Sequence, residues 1–372
     1  MSKRHTPLHE WHVAKGAKMV DFAGWDMPLQ YAEGSLAEHR LVRSSAGLFD
    51  ISHMGRVEIL GVDATAFLDR VLSNDMAGCP VGQSIYSLMC KEDGGVLDDV
   101  FSYRLEDTHW LVVINAANRE KDLAWLEKQA ADFTVEVIDR SDDVAMIAFQ
   151  GPEALGVMDR LTDGAAGRIE RFGLAEIDLP TGRTVVSRTG YTGEDGVEIY
   201  PDSADVLTLW EDILGAAEEA GVTAGPCGLA ARDSLRFEPG FALYGHEITE
   251  EITAIEARLK WACSLDKDFI GAAALRKEAE EGTERKLATF TMRERAVPRQ
   301  GYTVYVDGEE AGEVVTGMYA PTVDSYSGNA FIRTPYHKKG TKIEIDVRGT
   351  RRAAEVVPRP LYRPSYRKGE QQ

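Results

Sequence analysis

The sequence predicts an α+β chain that ends in a separate all-β module, and three observations lead there. Between about residues 35 and 277, short strand-type runs alternate with amphipathic helical stretches, and neighbouring strands can pair antiparallel. From about Lys286 the helical periodicity stops, and six short β-type runs (LATFTM, YTVYV, GEVVTGMY, NAFIRT, KIEIDV and AAEVV) follow at close spacing, the pattern of a small barrel or jelly roll. The length of 372 residues exceeds one ordinary core and implies two or three domains.

The elements follow in chain order. Ser35 and Glu38 have capping-box spacing at the head of a helix, and Gly47 stands where that helix would end. Val57 and Ile59 alternate as in a strand, whereas Phe67, Leu68, Val71 and Leu72 share a helical face. Strands are expected at Ser84–Met89, Val96–Leu105 and Trp110–Ile114, then a helix over Asn118–Ala131. A second round gives a strand at Val144–Phe149, a helix with Pro152 in its first turn, strands near Ala175–Leu179, Thr184–Arg188 and Val197–Tyr200, and a helix over Ala204–Ala220. EAEEGTERK at 278–286 reads as the linker to the terminal module.

Composition narrows the function. A formal net charge of −19 argues against nucleic acid, because phosphate contacts need clustered Lys and Arg. No apolar run of membrane-spanning length and no signal-type start occur, so a cytoplasmic protein without a membrane partner is the expectation. Cys79, Cys90, Cys227 and Cys263 are scattered and read as reduced thiols.

Three stretches carry candidate chemistry. In KEDGGVLDDVFSYR (91–104), Gly94-Gly95 reads as a tight turn into a strand that bears Asp98 and Asp99. Successive strand side chains face opposite ways, so one of the two carboxylates lines a cleft unless both lie on a plain solvated hairpin. SRTGYTGEDGVEIY (187–200) is rich in glycine but holds neither a GxGxxG nor a Walker motif, and reads as a structural turn or a ligand loop. Within it, a buried Glu198 suits a ligand edge with two adjacent N–H donors, as a pterin presents. In GPCGLAARDSLRFEPG (225–240), Pro226 opens a helix on which Arg232 and Arg236 lie one turn apart. A cation near a helix start needs a partner, so Arg232 is either a site residue or paired with Asp233 or Glu238.

Other residues have plainer readings. His5, His9 and His12 are close in sequence, and a helix would bring His9 and His12 to one face, but further metal ligands are not evident and no metal is expected. His53 reads as a packing or hydrogen-bonding residue, Trp25 and Trp261 as core aromatics, and no GxSxG nucleophile motif occurs.

Taken together and in order, FAGWDMPLQY, LFDISHMG, IYSLMCKEDGGVLDDVFSY, INAANREKD, FQGPEA, SRTGYTGEDGVEIY and CGLAARDSLRFEPGFALYGHEI resemble the glycine cleavage system T-protein family of aminomethyltransferases, over almost the whole chain. The resemblance implies two intertwined α/β lobes with antiparallel sheets and a C-terminal β-barrel, three lobes around a central folate channel. It implies a folate-binding region over 1–277, with a second α+β subdomain at roughly 51–143 inserted in the first, and a barrel over 286–372. The implied reaction transfers the aminomethyl carbon from the lipoyl arm of H-protein to tetrahydrofolate, releasing ammonia and forming 5,10-methylenetetrahydrofolate.

By motif position the resemblance makes Asp99 the catalytic carboxylate and Glu198 and Arg232 the pterin-holding pair. Tyr86, Tyr103 and Tyr191 would line the pocket, with Met54, Asn115 and Asn118 nearby and Arg363 and Tyr366 toward the folate tail. Here the chain has Thr253-Ala254-Ile255 where the family often has Asn-Pro, Phe241 in place of a common tyrosine, and Met318-Tyr319-Ala320-Pro321 in place of Asn-Phe-Ser-Pro. Two other activities share the scaffold: a tetrahydrofolate-binding accessory protein of iron–sulfur maintenance, and a folate-dependent demethylase. The intact LDD motif and the full-length terminal barrel favour the transferase.

Overall fold

A computed structural model describes residues 3–364 and contains two compact units. One comprises the chain up to Leu68 with Met76–Tyr86 and Val100–Leu235; the other comprises Asp69–Asp75, Ser87–Asp99 and the chain from Arg236 onward.

The first unit is built on a six-stranded sheet in the order Leu174–Leu179, Gly182–Ser187, Gly196–Tyr200, Ile147–Gln150, Ala46–Asp50, Ala224–Pro226. The pairings are antiparallel except the last, which is parallel. Strand alternation gives the sheet two apolar faces. Leu48, Ile147, Phe149, Val197 and Ile199 point to one face, where helices Ala154–Leu161 and Val206–Glu219 cover them. The longer helix presents Val206, Leu209, Trp210, Ile213 and Ala217, a spacing of three and four residues, and each such large apolar side chain contributes roughly 1.5–3 kcal/mol on burial.

Phe49, Ala148 and Tyr200 point to the opposite face and join a second core with Tyr103, Leu111, Val113, Ala231 and Leu235. Tyr103, Leu111 and Val113 come from a five-stranded sheet in the order Ser84–Cys90, Val96–Glu106, His109–Ile114, Gly55–Leu60, Glu136–Asp139. This second core, closed by helix Leu229–Phe237, is where the candidate site lies.

The second unit holds a closed six-stranded barrel in the order Arg285–Met292, Ser325–Arg333, Glu309–Ala320, Thr303–Val306, Lys342–Val347, Thr350–Val357, sealed by pairing of the first strand with the last. Alternate residues such as Ala288, Phe290, Ala330, Ile332, Ile343 and Ile345 fill its interior. The six β-type runs are these six strands.

Several local expectations are corrected. The first long helix is Ser35–Ser44, capped by Gly34 in a positive-φ conformation and without a side-chain cap, because the carboxylate of Glu38 is turned inward to accept from the Tyr31 and Gly228 amides at 2.6 and 2.9 Å. Gly47 does not end that helix but lies within strand Ala46–Asp50, where an added Cβ would meet Val42 and Cys227. Pro152 precedes helix Ala154–Leu161, and Pro226 ends a strand instead of opening a helix. Helix Ala272–Glu281 runs through the first half of the expected linker, which shrinks to 282–284. Trp25 is buried, but Trp261 is 67% exposed.

The four cysteines are buried free thiols. Among the described residues no helix is long and apolar enough to cross a membrane.

Candidate active site

Glu198 occupies the third position of strand Gly196–Tyr200, opposite Ser187 in the register, and is 7% exposed. Gly196 makes the approach possible, since a Cβ there would stand 2.4 Å from the Phe149 carbonyl oxygen of the neighbouring strand. Two hydroxyls reach the same oxygen of Glu198: Tyr103 Oη donates to Oε2 at 3.1 Å and Thr189 Oγ1 donates to it at 2.5 Å. Ser187 Oγ lies 2.6 Å from Thr189 Oγ1 and steadies it. The second oxygen, Oε1, accepts no hydrogen bond from the described residues, so the carboxylate is anchored at one atom and available at the other.

The electrostatics fit a charge held in a dry place. Burial raises the Glu198 carboxyl above its ordinary range, while the hydrogen bond from Thr189, the positive charge of Arg232 and the hydrogen bond from Tyr103 pull it back. Burial raises the Tyr103 phenol, and the negative charge of Glu198 adds to the effect. The Arg232 guanidinium is weakened by burial and supported by Tyr191 and Glu198; its carbon lies 4.7 Å from the centroid of the Tyr191 ring. The contacts that support Arg232 are thus the Tyr191 ring and the Glu198 carboxylate.

The glycine-rich loop that carries Thr189 and Tyr191 is held rigidly. Gln150 donates to the Thr189 and Val197 carbonyls at 3.1 and 3.2 Å, and Thr192 donates back to Gln150 at 3.0 Å. Gly190 packs so closely on Gln150 that a Cβ would stand 1.9 Å from its Oε1. Arg188 forks onto Asp195 at 3.0 and 2.6 Å, and Arg43 pairs with Glu194 at 2.9 Å. These bonds fix the loop, and with it the positions of Thr189 and Tyr191.

Behind the site, His53 is 2% exposed in the loop between strands Ala46–Asp50 and Gly55–Leu60, with its ring edge-on to Phe22 at 5.5 Å. Its Nδ1 makes no hydrogen bond with the described residues. Burial, and then the charge of Arg232, push its pKa down to about 3 against the opposing pull of Asp50, so it is a neutral imidazole. Asp50 accepts from Thr6 at 2.6 Å and from the Ser52 amide at 2.9 Å, and lies 3.0 Å from His12 Nε2.

Tyr86, Phe101 and Tyr103 form an aromatic row with centroid separations of 6.2 and 5.4 Å, and Phe172 stacks on Phe101 at 6.4 Å. Met54 packs against the second core. Asn115 and Asn118 form the turn into helix Arg119–Gln129, the Asn118 amide donating to the Asn115 carbonyl at 2.9 Å. On strand Val96–Glu106, Asp99 shares a face with Phe101 and Tyr103 and is half-buried, while Asp98 is fully buried on the other face; Asp99 is counted with the second unit and the Glu198 group with the first. Gly94 alone takes a positive φ in the preceding turn, and Gly95 is needed because a Cβ would stand 2.1 Å from the Glu250 carbonyl. Arg363 is an exposed residue of the second unit, and Tyr366 lies outside the described residues.

Sequence reasoning missed Ser187 and Thr189. Their signal is the cross-strand register, which sets Ser187 opposite Glu198 and which no local pattern gives.

Comparisons with known proteins agree along the whole length. Residues 8–267 match the family model described as the GCVT N-terminal domain, and residues 285–363 match the glycine cleavage T-protein C-terminal barrel domain. An aminomethyltransferase of Anoxybacillus flavithermus is 45% identical over 363 residues, covering 97% of this chain and 99% of that protein. Another, of Symbiobacterium thermophilum, is 44% identical over 375 residues, with 99% of both chains covered. The crystal structure of glycine cleavage system aminomethyltransferase T from Bartonella henselae superposes with a TM-score of 0.91 at 34% identity, covering 98% of this chain and 99% of that one. With both domains matched and relatives of this similarity over full length, the chain belongs to the aminomethyltransferase family, the T-proteins of the glycine cleavage system.

Proposed function

We propose that this aminomethyltransferase takes tetrahydrofolate as its one-carbon acceptor at the Glu198 site and lipoylated H-protein as its donor. The observation that carries the acceptor assignment is the one-sided anchoring of Glu198: with Tyr103 and Thr189 both on Oε2, Oε1 is left to accept from the N–H edge of a pterin. Arg232 and the Tyr191 ring offer a cation and an aromatic face beside it.

Asp99 is the proposed catalytic carboxylate. In the reaction, the aminomethyl carbon on sulfur loses ammonia, bonds to the first folate nitrogen, then bonds to the second as the carbon–sulfur bond breaks. The two N–H protons of the folate leave with ammonia as ammonium and with sulfur as the thiol. The carbon is cationic between the loss of ammonia and the first carbon–nitrogen bond, and a fixed carboxylate stabilises it there without acting as a strong base. Positioning of the reacting atoms supplies a further share of the rate, up to roughly 7–11 kcal/mol.

Tyr86, Met54, Asn115 and Asn118 are proposed to line the acceptor site, and Arg363 and Tyr366 to meet the folate tail. We also propose a division into a catalytic region over 1–277, with roughly 51–143 inserted as a second subdomain, and a barrel over 286–372; the two family matches support the outer boundary. A cytoplasmic setting without nucleic acid or membrane accords with the acidic composition. The test is tetrahydrofolate-dependent ammonia release from aminomethylated H-protein by the wild-type chain and by Asp99→Asn. An active wild type and a 10- to 1000-fold loss, roughly that of removing one electrostatic group, is the expected outcome. A wild type that binds tetrahydrofolate yet releases no ammonia overturns the donor assignment.

A further inference from the structure

His5, His9 and Asp26 place ligand atoms within 4.8 Å of one another in the first unit, far in kind from the folate chemistry. The three histidines near the amino terminus separate in the fold. His12 turns into the interior, with Tyr31 Oη 2.8 Å from its Nδ1 and Asp50 3.0 Å from its Nε2. His9 instead meets Asp26, 17 positions on, across the hairpin Lys18–Phe22 and Trp25–Gln30, so the missing ligand comes from a neighbouring strand.

We propose that His5, His9 and Asp26 bind a divalent transition-metal ion of the zinc type. Imidazole and carboxylate donors together suit zinc, and two imidazoles with one carboxylate leave a fourth position for water. His9 Nε2 and Asp26 Oδ2 stand 3.0 Å apart. Two ligands on one tetrahedral zinc, with bonds of about 2.0–2.1 Å, stand roughly 3.3 Å apart, so the ion replaces the shared proton with little movement.

His5 stacks on His9 with ring centroids 3.7 Å apart and planes 4° apart. It is exposed, and swings out of the stack to point a nitrogen at the same ion. The backbone preorganises the set: the Arg4 amide donates to the Gly24 carbonyl at 2.8 Å and the Asp26 amide to the Arg4 carbonyl at 2.9 Å, which fixes residue 5 beside residue 26. Two more charges face the cluster. Lys3 Nζ lies 2.7 Å from Asp26 Oδ1 and competes with the metal, and Glu10 Oε1 lies 3.5 Å from His9 Nδ1 and favours it. A bound ion fastens the segment around His5 to the hairpin.

The experiment is isothermal titration of the full chain, made without a polyhistidine tag, with zinc chloride, and the same for His5→Ala, Asp26→Asn and Lys3→Ala. The buried cysteines do not compete in the folded chain. Expected are one zinc per chain, affinity about 10- to 100-fold weaker in His5→Ala and in Asp26→Asn, and tighter binding in Lys3→Ala. Circular dichroism confirms that the variants are folded. Absence of stoichiometric zinc binding, or binding indifferent to either His5→Ala or Asp26→Asn, overturns the site.

Discussion

Tyr103 and Glu198 meet from different sheets, 95 positions apart in the chain, with the phenol donating to Oε2 of the carboxylate at 3.1 Å. The bond ties the orientation of Glu198 to the packing of the second core, because the Tyr103 ring is itself fixed edge-on to Tyr200 at 5.5 Å. Tyr103→Phe keeps the ring and removes the donor. A hydrogen bond to a charged group is worth about 1.5–3 kcal/mol, so tetrahydrofolate affinity is expected to fall roughly 10- to 100-fold with secondary structure unchanged, measured by fluorescence titration and circular dichroism.

Glu198→Gln tests the acceptor assignment from the other side. The amide oxygen takes over the hydroxyls of Tyr103 and Thr189, which turns the NH2 toward the ligand edge that Oε1 serves in the wild type. Donor then faces donor. The expected loss in tetrahydrofolate affinity is at least that of Tyr103→Phe, and a variant that binds as tightly as wild type shows that the pterin edge lies elsewhere.

In the second unit, Glu247 is buried against Arg236 at 3.0 Å and accepts from Asn329 at 2.8 Å. Burial opposes its charge, but Arg236 and Asn329 outweigh burial and hold its pKa down to about 2. Asp50 behaves alike in the first unit: burial opposes, His12 and Thr6 outweigh it, and its pKa stands at about 2. An acid held below its unfolded value stabilises the fold above that value and loses the contribution as pH falls toward the folded one. Denaturant midpoints are therefore expected to drop steeply between about pH 4.5 and pH 2. Glu247→Ala, which removes the carboxylate paired with the buried Arg236 guanidinium, is expected to cost about 3–5 kcal/mol at neutral pH.

His53 acts in a different window. Its pKa of about 3 in the fold, set first by burial and then by Arg232, lies below its ordinary value of 6.5. Between those values the unfolded chain takes up the proton and the folded chain does not, so stability falls with pH by up to about 1.4 kcal/mol per unit. Urea midpoints compared at pH 7 and pH 5 should show a smaller drop for His53→Asn than for wild type, while an unchanged slope means that the wild-type imidazole is protonated at pH 5.

Several features of the molecule were legible in the sequence because they are local. The six terminal strands announce themselves by alternation, and they form the closed barrel. Glu198 and Arg232 stand in distinctive words of the sequence, and the structure sets Glu198 against Tyr103 and Arg232 against the Tyr191 ring. Where local rules met a competing tertiary demand they failed. Ser35 and Glu38 have capping spacing, yet Glu38 serves two distant amides, since a buried carboxylate with two amide donors outweighs one exposed cap. Trp261 is apolar enough for a core and stays exposed.

By itself, then, the sequence determined the secondary-structure alternation, the terminal barrel, the reduced cysteines and the motifs that tie the chain to its family. Only the tertiary structure decided which oxygen of Glu198 is anchored and which is open, that Ser187 and Thr189 support it, and that His9 partners Asp26 while His12 partners Asp50. The reason is the same in each case. Periodicity and turn chemistry are properties of neighbours along the chain, whereas register and cross-sheet packing join residues that are near only once the apolar faces have been buried.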